Sequence, residues 1–223
     1  MRVRTYTRCG RSSIYRAILV IFLVMGGLAG FAVPAKADTV FTNIIGSSIG
    51  GPGVQGPSEP GGSESLAEAF IPAAEYDLTD VQVKVFQVLG FGGDPYFNVS
   101  LFSNASGLPG SLIDALGTDL TASAGGGIVT ASGTALLYAG TEYWVVLTPF
   151  DSTTQIAWED GTSQSAPVAI TASTTALSGW SSSSGTVDPQ FQVDGSPVPE
   201  PCTFALVCSG VIGVIGLARR RLA

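Results

Sequence analysis

The stretch "LTDVQVKVFQVLG", residues 78–90, alternates strictly in its middle, with Val81, Val83 and Val85 on one side of an extended chain and Gln82 and Lys84 on the other. A helix would scatter those valines around its circumference, so the pattern commits this part to a half-buried antiparallel strand. "YFNVSLFS" repeats it with Phe97, Val99 and Leu101. Further β-type runs are "GGIVTASGTALLY", "TEYWVVLTPF", "TQIAWED", "PVAITAS" and "PQFQVDG", separated by Ser, Thr, Gly, Asn and Pro. About eight to nine strands at this spacing predict an all-β domain, an antiparallel β-sandwich or jelly roll, over residues 64–195. No body segment shows sustained helical periodicity. "GSESLAEAFI" is read as an edge strand whose Phe70 and Ile71 enter the core. Residues 38–63 are read as a lead-in with little capacity to pack, because residues 46–62 hold seven glycines and three prolines.

Charge is segregated along the 223 residues. Arg2, Arg4, Arg8, Arg11 and Arg16 crowd the start and Arg219, Arg220 and Arg221 the end, whereas residues 38–198 hold sixteen acids and one base, Lys84. Such a body is no partner for nucleic acid, whose phosphates require clustered cations. It suits an exported surface that repels its neighbours. The body has no cysteine and the chain no histidine. A disulfide framework, Ser-His-Asp and Cys-His catalysis and the usual zinc and copper sites are therefore excluded there. No cofactor is expected. A structural Ca²⁺ remains compatible with so many carboxylates, but no D-x-D-x-D-G loop marks ligands for it, and no metal site is assigned.

A glycosidase needs only two carboxylates across a cleft, and Glu159 and Asp160 beside Trp158 form the most suggestive group. Neighbours on a strand point to opposite faces, so the preferred reading is a strand that ends in an Asp-Gly turn with Trp158 in the core. Trp144, inside an apolar strand, is also read as core, and Trp180 as an open question between core and stacking platform. Asn98 and Asn104 stand in glycosylation-like triplets, but are read as strand and turn residues.

Both ends carry apolar runs. After the basic head, "AILVIFLVMGGLAGFAV" over residues 17–33 leads to Ala35 and Ala37, small residues flanking a cleavage point. This is the layout of a secretory signal peptide over residues 1–37, with an uncleaved signal anchor as the alternative; Gly26, Gly27, Gly30 and the Ala-Lys-Ala site favour cleavage. Residues 202–218 are again uncharged, long enough for a helix of about 25 Å, close to the lower limit for crossing a bilayer. Arg219, Arg220 and Arg221 then read as a stop-transfer flank that stays in the cytoplasm. Gly210, Gly213 and Gly216 are read as the small residues common in such segments rather than as a helix-packing motif.

The sequence "SPVPEPCTFALVCSGVIGVIGLARRRLA", with Pro199-Glu200-Pro201 just before the apolar run and arginines at the end, resembles the PEP-CTERM sorting signal of Gram-negative bacteria. The likeness covers residues 196–223. It implies that an exosortase, an integral-membrane enzyme with a catalytic cysteine, recognises Pro199, Glu200 and Pro201 and releases the protein from its anchor. An ordinary C-terminal anchor with a proline-rich stem is the alternative. Separately, "LAEAFIPAAEYDLTDVQVKVF", "YFNVSLFSNASGLPGSLI" and "LLYAGTEYWVVLTP" resemble the choice-of-anchor family, type R, of extracellular bacterial β domains, over about residues 64–160. That family has no established catalytic residues to transfer.

The expectation is thus an all-β exported protein with an N-terminal signal helix and one C-terminal transmembrane helix, tethered to the inner membrane and then passed to the cell surface or matrix. A non-enzymatic structural or adhesive role leads. A polysaccharide-binding module, for the exopolysaccharide that PEP-CTERM systems accompany, is the alternative, and a two-carboxylate glycosidase ranks last.

Overall fold

The structure is a computed structural model that describes residues 36–44, 50–59, 62–90, 92–161, 168–171, 179–182 and 188–199. Its strands are β1 (Asp38–Thr42), β2 (Gly53–Gln55), β3 (Ser65–Phe70), β4 (Tyr76–Gln87), β5 (Tyr96–Asn104), β6 (Pro109–Thr121), β7 (Gly127–Ser132), β8 (Leu136–Leu137), β9 (Tyr143–Pro149), β10 (Gln155–Trp158), β11 (Val168–Thr171), β12 (Ser181–Ser182) and β13 (Phe191–Pro197). All strand pairings are antiparallel and fall into two sheets, so the described part is all-β.

The alternating segment is the spine of the first sheet. β4 holds β13 and β10 end to end along one edge, with Phe191 opposite Val83 and Trp158 opposite Val85. Its other edge holds β8 at Tyr76 and Asp77 and β7 from Asp80 to Val85. β1 lies outside β13 and β2 outside β10. The second sheet runs β12-β11-β3-β9-β5-β6.

Val81, Val83 and Val85 from one sheet meet Leu66, Phe97, Val99, Leu101, Val145 and Leu147 from the other in a single buried cluster. Each such side chain removed from water contributes about 1.5–3 kcal/mol. The second sheet is apolar on its other face too, where Ala67, Ala69, Phe102, Trp144 and Val146 form a separate cluster joined by Leu108 and Trp180. That double burial explains why β3 and β9 read as nearly continuous apolar runs rather than as alternations.

The turns obey the local chemistry. Between β5 and β6 the chain needs positive φ at Ser106 and Gly107, and Asn104 Oδ1 accepts the Gly107 N–H at 2.9 Å. Gly140, at φ 69°, turns the chain before β9.

Two expectations change. β3 is no edge strand: it lies between β9 and β11, and only Phe70 enters the core while Ile71 is exposed. Residues 38–63, expected as a lead-in, supply β1 and β2 to the first sheet, since even three extended residues gain a ladder when an edge such as β10 is free. The predicted helices at 17–33 and 202–218 lie outside the described residues. Among the described residues no helix is long and apolar enough to cross a membrane.

Asp38 lies opposite Gly195, and Pro197 opposite Tyr76. The first and last described strands therefore begin and end at one pole, together with the starts of β4 and β9. The ends of β4 and β9, at Gln87 and Pro149, mark the other.

Candidate functional site

Where β10 gives way to β13 along β4, the sheet has a seam, and polar groups fill it. Glu159 N–H donates to the Lys84 carbonyl at 2.8 Å, Lys84 N–H to Gln190 O at 3.0 Å and Gln190 N–H to Glu159 O at 2.8 Å. Trp158 Nε1 donates to Gln190 O at 2.9 Å and Gln190 Nε2 to Asp160 O at 2.8 Å. The strand change is thus sealed without leaving these backbone groups unpaired in the interior.

Asn43, just past β1, clamps the seam. Its Oδ1 accepts the Phe191 N–H at 2.7 Å. Its Nδ2 lies 3.2 Å from Glu68 Oε1, 3.0 Å from Asp188 Oδ1 and 2.9 Å from Pro189 O, so at least one of these contacts shares a hydrogen. Glu68 reaches this point because it occupies the inward position between Leu66 and Phe70 on β3. It is fully buried and Asp188 nearly so.

Two acids share one amide, and a third, Asp160, lies near enough for its charge to act on Glu68. Burial pushes the Glu68 carboxyl up to about 10, and the Asp188 charge, a hydrogen bond with Asp188 and the Asp160 charge add to this. Asp160 is pushed up to about 6 by burial and by the Asp188 charge, against a backbone hydrogen bond from Asp188. Glu68 Oε2 and Asp160 Oδ1 are buried with no hydrogen-bond partner. Two carboxyl oxygens hydrogen-bond only when one carries a proton, so the contact with Asp188 favours the neutral form of Glu68. Burial beside two other acids thus favours a neutral Glu68 carboxyl.

On the outer face of the same seam, Lys84 Nζ lies 3.2 Å from Glu159 Oε2, with side chains 15% and 8% exposed. Gly126, at φ 74°, leaves the space that Glu159 Oε1 occupies, where a Cβ would collide with it. The only basic residue of the acidic body is thus held in a nearly buried ion pair. Glu159 turns outward to Lys84 and Asp160 inward to Glu68 and Asp188, so the two carboxylates do not face one substrate.

Among the described residues, no group of three or more His, Cys, Asp or Glu side chains is placed to hold a metal ion. Trp144 and Trp158 are fully buried, as their strand positions predict, and Trp180 packs partly buried on the outer cluster of the second sheet. Asn98 donates to Pro149 O at 3.2 Å and accepts from Asp119 N–H at 3.2 Å, while Asn104 caps its turn; both serve the strand and turn roles read for them.

Of the targeting residues, Ala37 is exposed one position before β1, and Pro199 is exposed two positions after β13. Ala35, Glu200, Pro201, Arg219, Arg220 and Arg221 lie outside the described residues. Sequence reasoning missed Asn43, Glu68 and Asp188 as a group, because 25 and 145 positions separate Asn43 from the two acids. One signal was available: a glutamate at an inward position of an apolar strand demands a partner. No protein-family model and no curated protein matches this chain.

Proposed function

We propose that this is an exported, non-enzymatic protein of the cell envelope or extracellular matrix, a structural or adhesive domain of the sandwich or jelly-roll kind sorted by its C-terminal signal. In this reading the signal peptide is cut after Ala37. The helix over residues 202–218 holds an inner-membrane intermediate, and an exosortase acts at Pro199, Glu200 and Pro201. One observation carries it: Asp38 pairs with Gly195, so the two apolar ends of the chain join the folded body at a single pole. A domain tethered from one pole leaves the rest of its acidic surface clear of the membrane, and cutting after Ala37 or beyond Pro199 takes none of the described strands.

Fractionation with intact-mass measurement tests this. The expected product is found outside the cytoplasm, starts at Asp38 and lacks the arginine cluster. A cytoplasmic product running from Met1 to Ala223 overturns it.

A second reading, polysaccharide binding, moves to a new place. Trp158 is buried, but Tyr96 and Phe150 form an exposed edge-to-face pair with ring centroids 6.3 Å apart. Aromatic faces open to solvent are what sugar rings stack upon. A glycan array with Tyr96→Ala and Phe150→Ala controls decides it; uniform failure to bind removes the reading. Glu159 and Asp160, the pair singled out for a glycosidase, diverge, so that pair does not support the glycosidase reading.

A further inference from the structure

At the pole where the chain enters and leaves, three large apolar side chains stand in solvent: Ile71 at 55%, Leu136 at 39% and Tyr138 at 52% exposure. They come from two neighbouring connections. Ile71 opens the β3–β4 loop, Leu136 belongs to β8 and Tyr138 follows it. The connections are stitched together: Gly140 N–H donates to Pro72 O at 2.8 Å, and β8 pairs with Tyr76 and Asp77 at the start of β4. Tyr138 N–H is fixed by the Tyr143 hydroxyl at 3.0 Å. Leu137 is buried, so alternation forces Leu136 outward.

The chain leaves the fold beside these residues. Pro197 lies opposite Tyr76, and Val198 N–H donates to Glu75 O at 3.0 Å. From Pro199 to Cys202, the start of the uncharged run, is three residues, a reach of at most about 11 Å. At the front, the apolar run that ends at Val33 stops five positions short of Asp38, a reach of at most about 18 Å. β4 alone, at 12 residues, spans about 40 Å. With either apolar end in a bilayer, this pole meets the membrane and the opposite one cannot.

We propose that Ile71, Leu136 and Tyr138 form a membrane-contact face that seats the domain on the lipid interface while an apolar end anchors it; the inference rests on the anchor reading above. A tyrosine flanked by aliphatic side chains is the composition that settles at the boundary between headgroups and acyl chains. Asp38, Glu75 and Asp77 are exposed at the same pole; Lys36, exposed two positions before Asp38, is lost when the chain is cut after Ala37, and Lys84 is paired with Glu159. After cleavage at Ala37 the described residues of this pole therefore carry acids alone, a face that suits zwitterionic headgroups better than anionic ones.

The test uses the full chain, with Cys9, Cys202 and Cys208 changed to Ser, in phosphatidylcholine–phosphatidylethanolamine vesicles. An environment-sensitive fluorophore is placed at Tyr138→Cys or, as the control at the other pole, at Leu89→Cys, a site 65% exposed. The expected result is blue-shifted emission and severalfold stronger quenching by brominated lipid at position 138 than at 89. Ile71→Ser with Leu136→Ser abolishes that difference without lowering the melting temperature. Equal, water-like emission at both positions, in protein that resists carbonate extraction, overturns the contact face and leaves the anchor standing. Protein that carbonate extracts overturns the anchor, and the contact face with it.

Discussion

Asn43 donates its side-chain amide to Glu68 Oε1 across 3.2 Å, tying the residue after the first strand of one sheet to the middle of the other. The same side chain serves Asp188, Pro189 and Phe191. Asn43→Ala strips these contacts from a buried seam, and a buried polar group left unsatisfied costs about 1–3 kcal/mol. Denaturant unfolding at pH 7 is expected to show a loss of about 2–4 kcal/mol with an unchanged m-value. Asn43→Asp, which adds a fourth carboxyl to the cluster, is expected to lose more at pH 8 than at pH 5.

The raised Glu68 carboxyl gives stability a direction with pH. Glu68 ionises at its ordinary 4.5 in the unfolded chain but near 10 in the folded one, so the folded state binds more protons throughout that window. Stability is full below 4.5 and falls as pH rises toward 10. Asp160 acts the same way between 3.8 and about 6. Asp151, held low by donors from Thr153 and Thr154, acts oppositely: its contribution is present above 3.8 and lost as pH falls below. The melting temperature is therefore expected to be higher at pH 5 than at pH 8. Glu68→Gln keeps a donor toward Asp188 and removes the titration. It should match the parent at pH 5 and exceed it by about 1–3 kcal/mol at pH 8; a variant less stable at both pH values would show that Glu68 is not the proton holder.

The Lys84–Glu159 pair is buried enough that breaking it from one side strands a charge. Lys84→Met or Glu159→Gln alone is expected to cost about 3–5 kcal/mol, since each takes the counter-ion from a nearly buried charge; Glu159→Gln should fall at the lower end, because its amide oxygen still accepts from the ammonium. Lys84→Met combined with Glu159→Leu should recover part of that loss. A double-mutant cycle in urea reads the coupling, and strict additivity would mean that the ion pair contributes nothing.

Much of the sheet pattern was legible because period-two alternation is a local signal: Val81, Val83 and Val85 announce β4, and Phe97, Val99 and Leu101 announce β5. What alternation cannot carry is which strand lies beside which. β3 reads as an edge until β11 is seen to cover it, and the Gly-rich segment reads as slack until β10 is seen to need a neighbour. The polar seam was hidden for the same reason. Glu68 is conspicuous among Leu66 and Phe70, but its partners arrive from the first and last strands of the body. The apolar ends and Pro199 were read as processing signals from order and composition alone, a kind of information that strand packing does not contain.

Glycines 50 and 51 separate the two ways in which that Gly-rich segment is constrained. At Gly51 an added Cβ would fall onto the carbonyl of Trp158, a backbone atom at the seam that cannot swing aside. At Gly50 nothing lies within 4 Å, but φ is 117°, a conformation that costs a side chain about 1–3 kcal/mol. Gly51→Ala must push β2 off β10 or displace Trp158, whose indole fills the main core against Phe191. A loss above about 4 kcal/mol, or failure to fold, is expected for Gly51→Ala, and about 1–3 kcal/mol for Gly50→Ala. Thermal melts of the two variants, with tryptophan emission reporting on Trp158, make the comparison. Equal and small effects would mean that residues 50–55 are not packed on the sheet; a large effect at Gly51 alone identifies the segment as part of the domain, and with it the closure of the first sheet beside the buried acids.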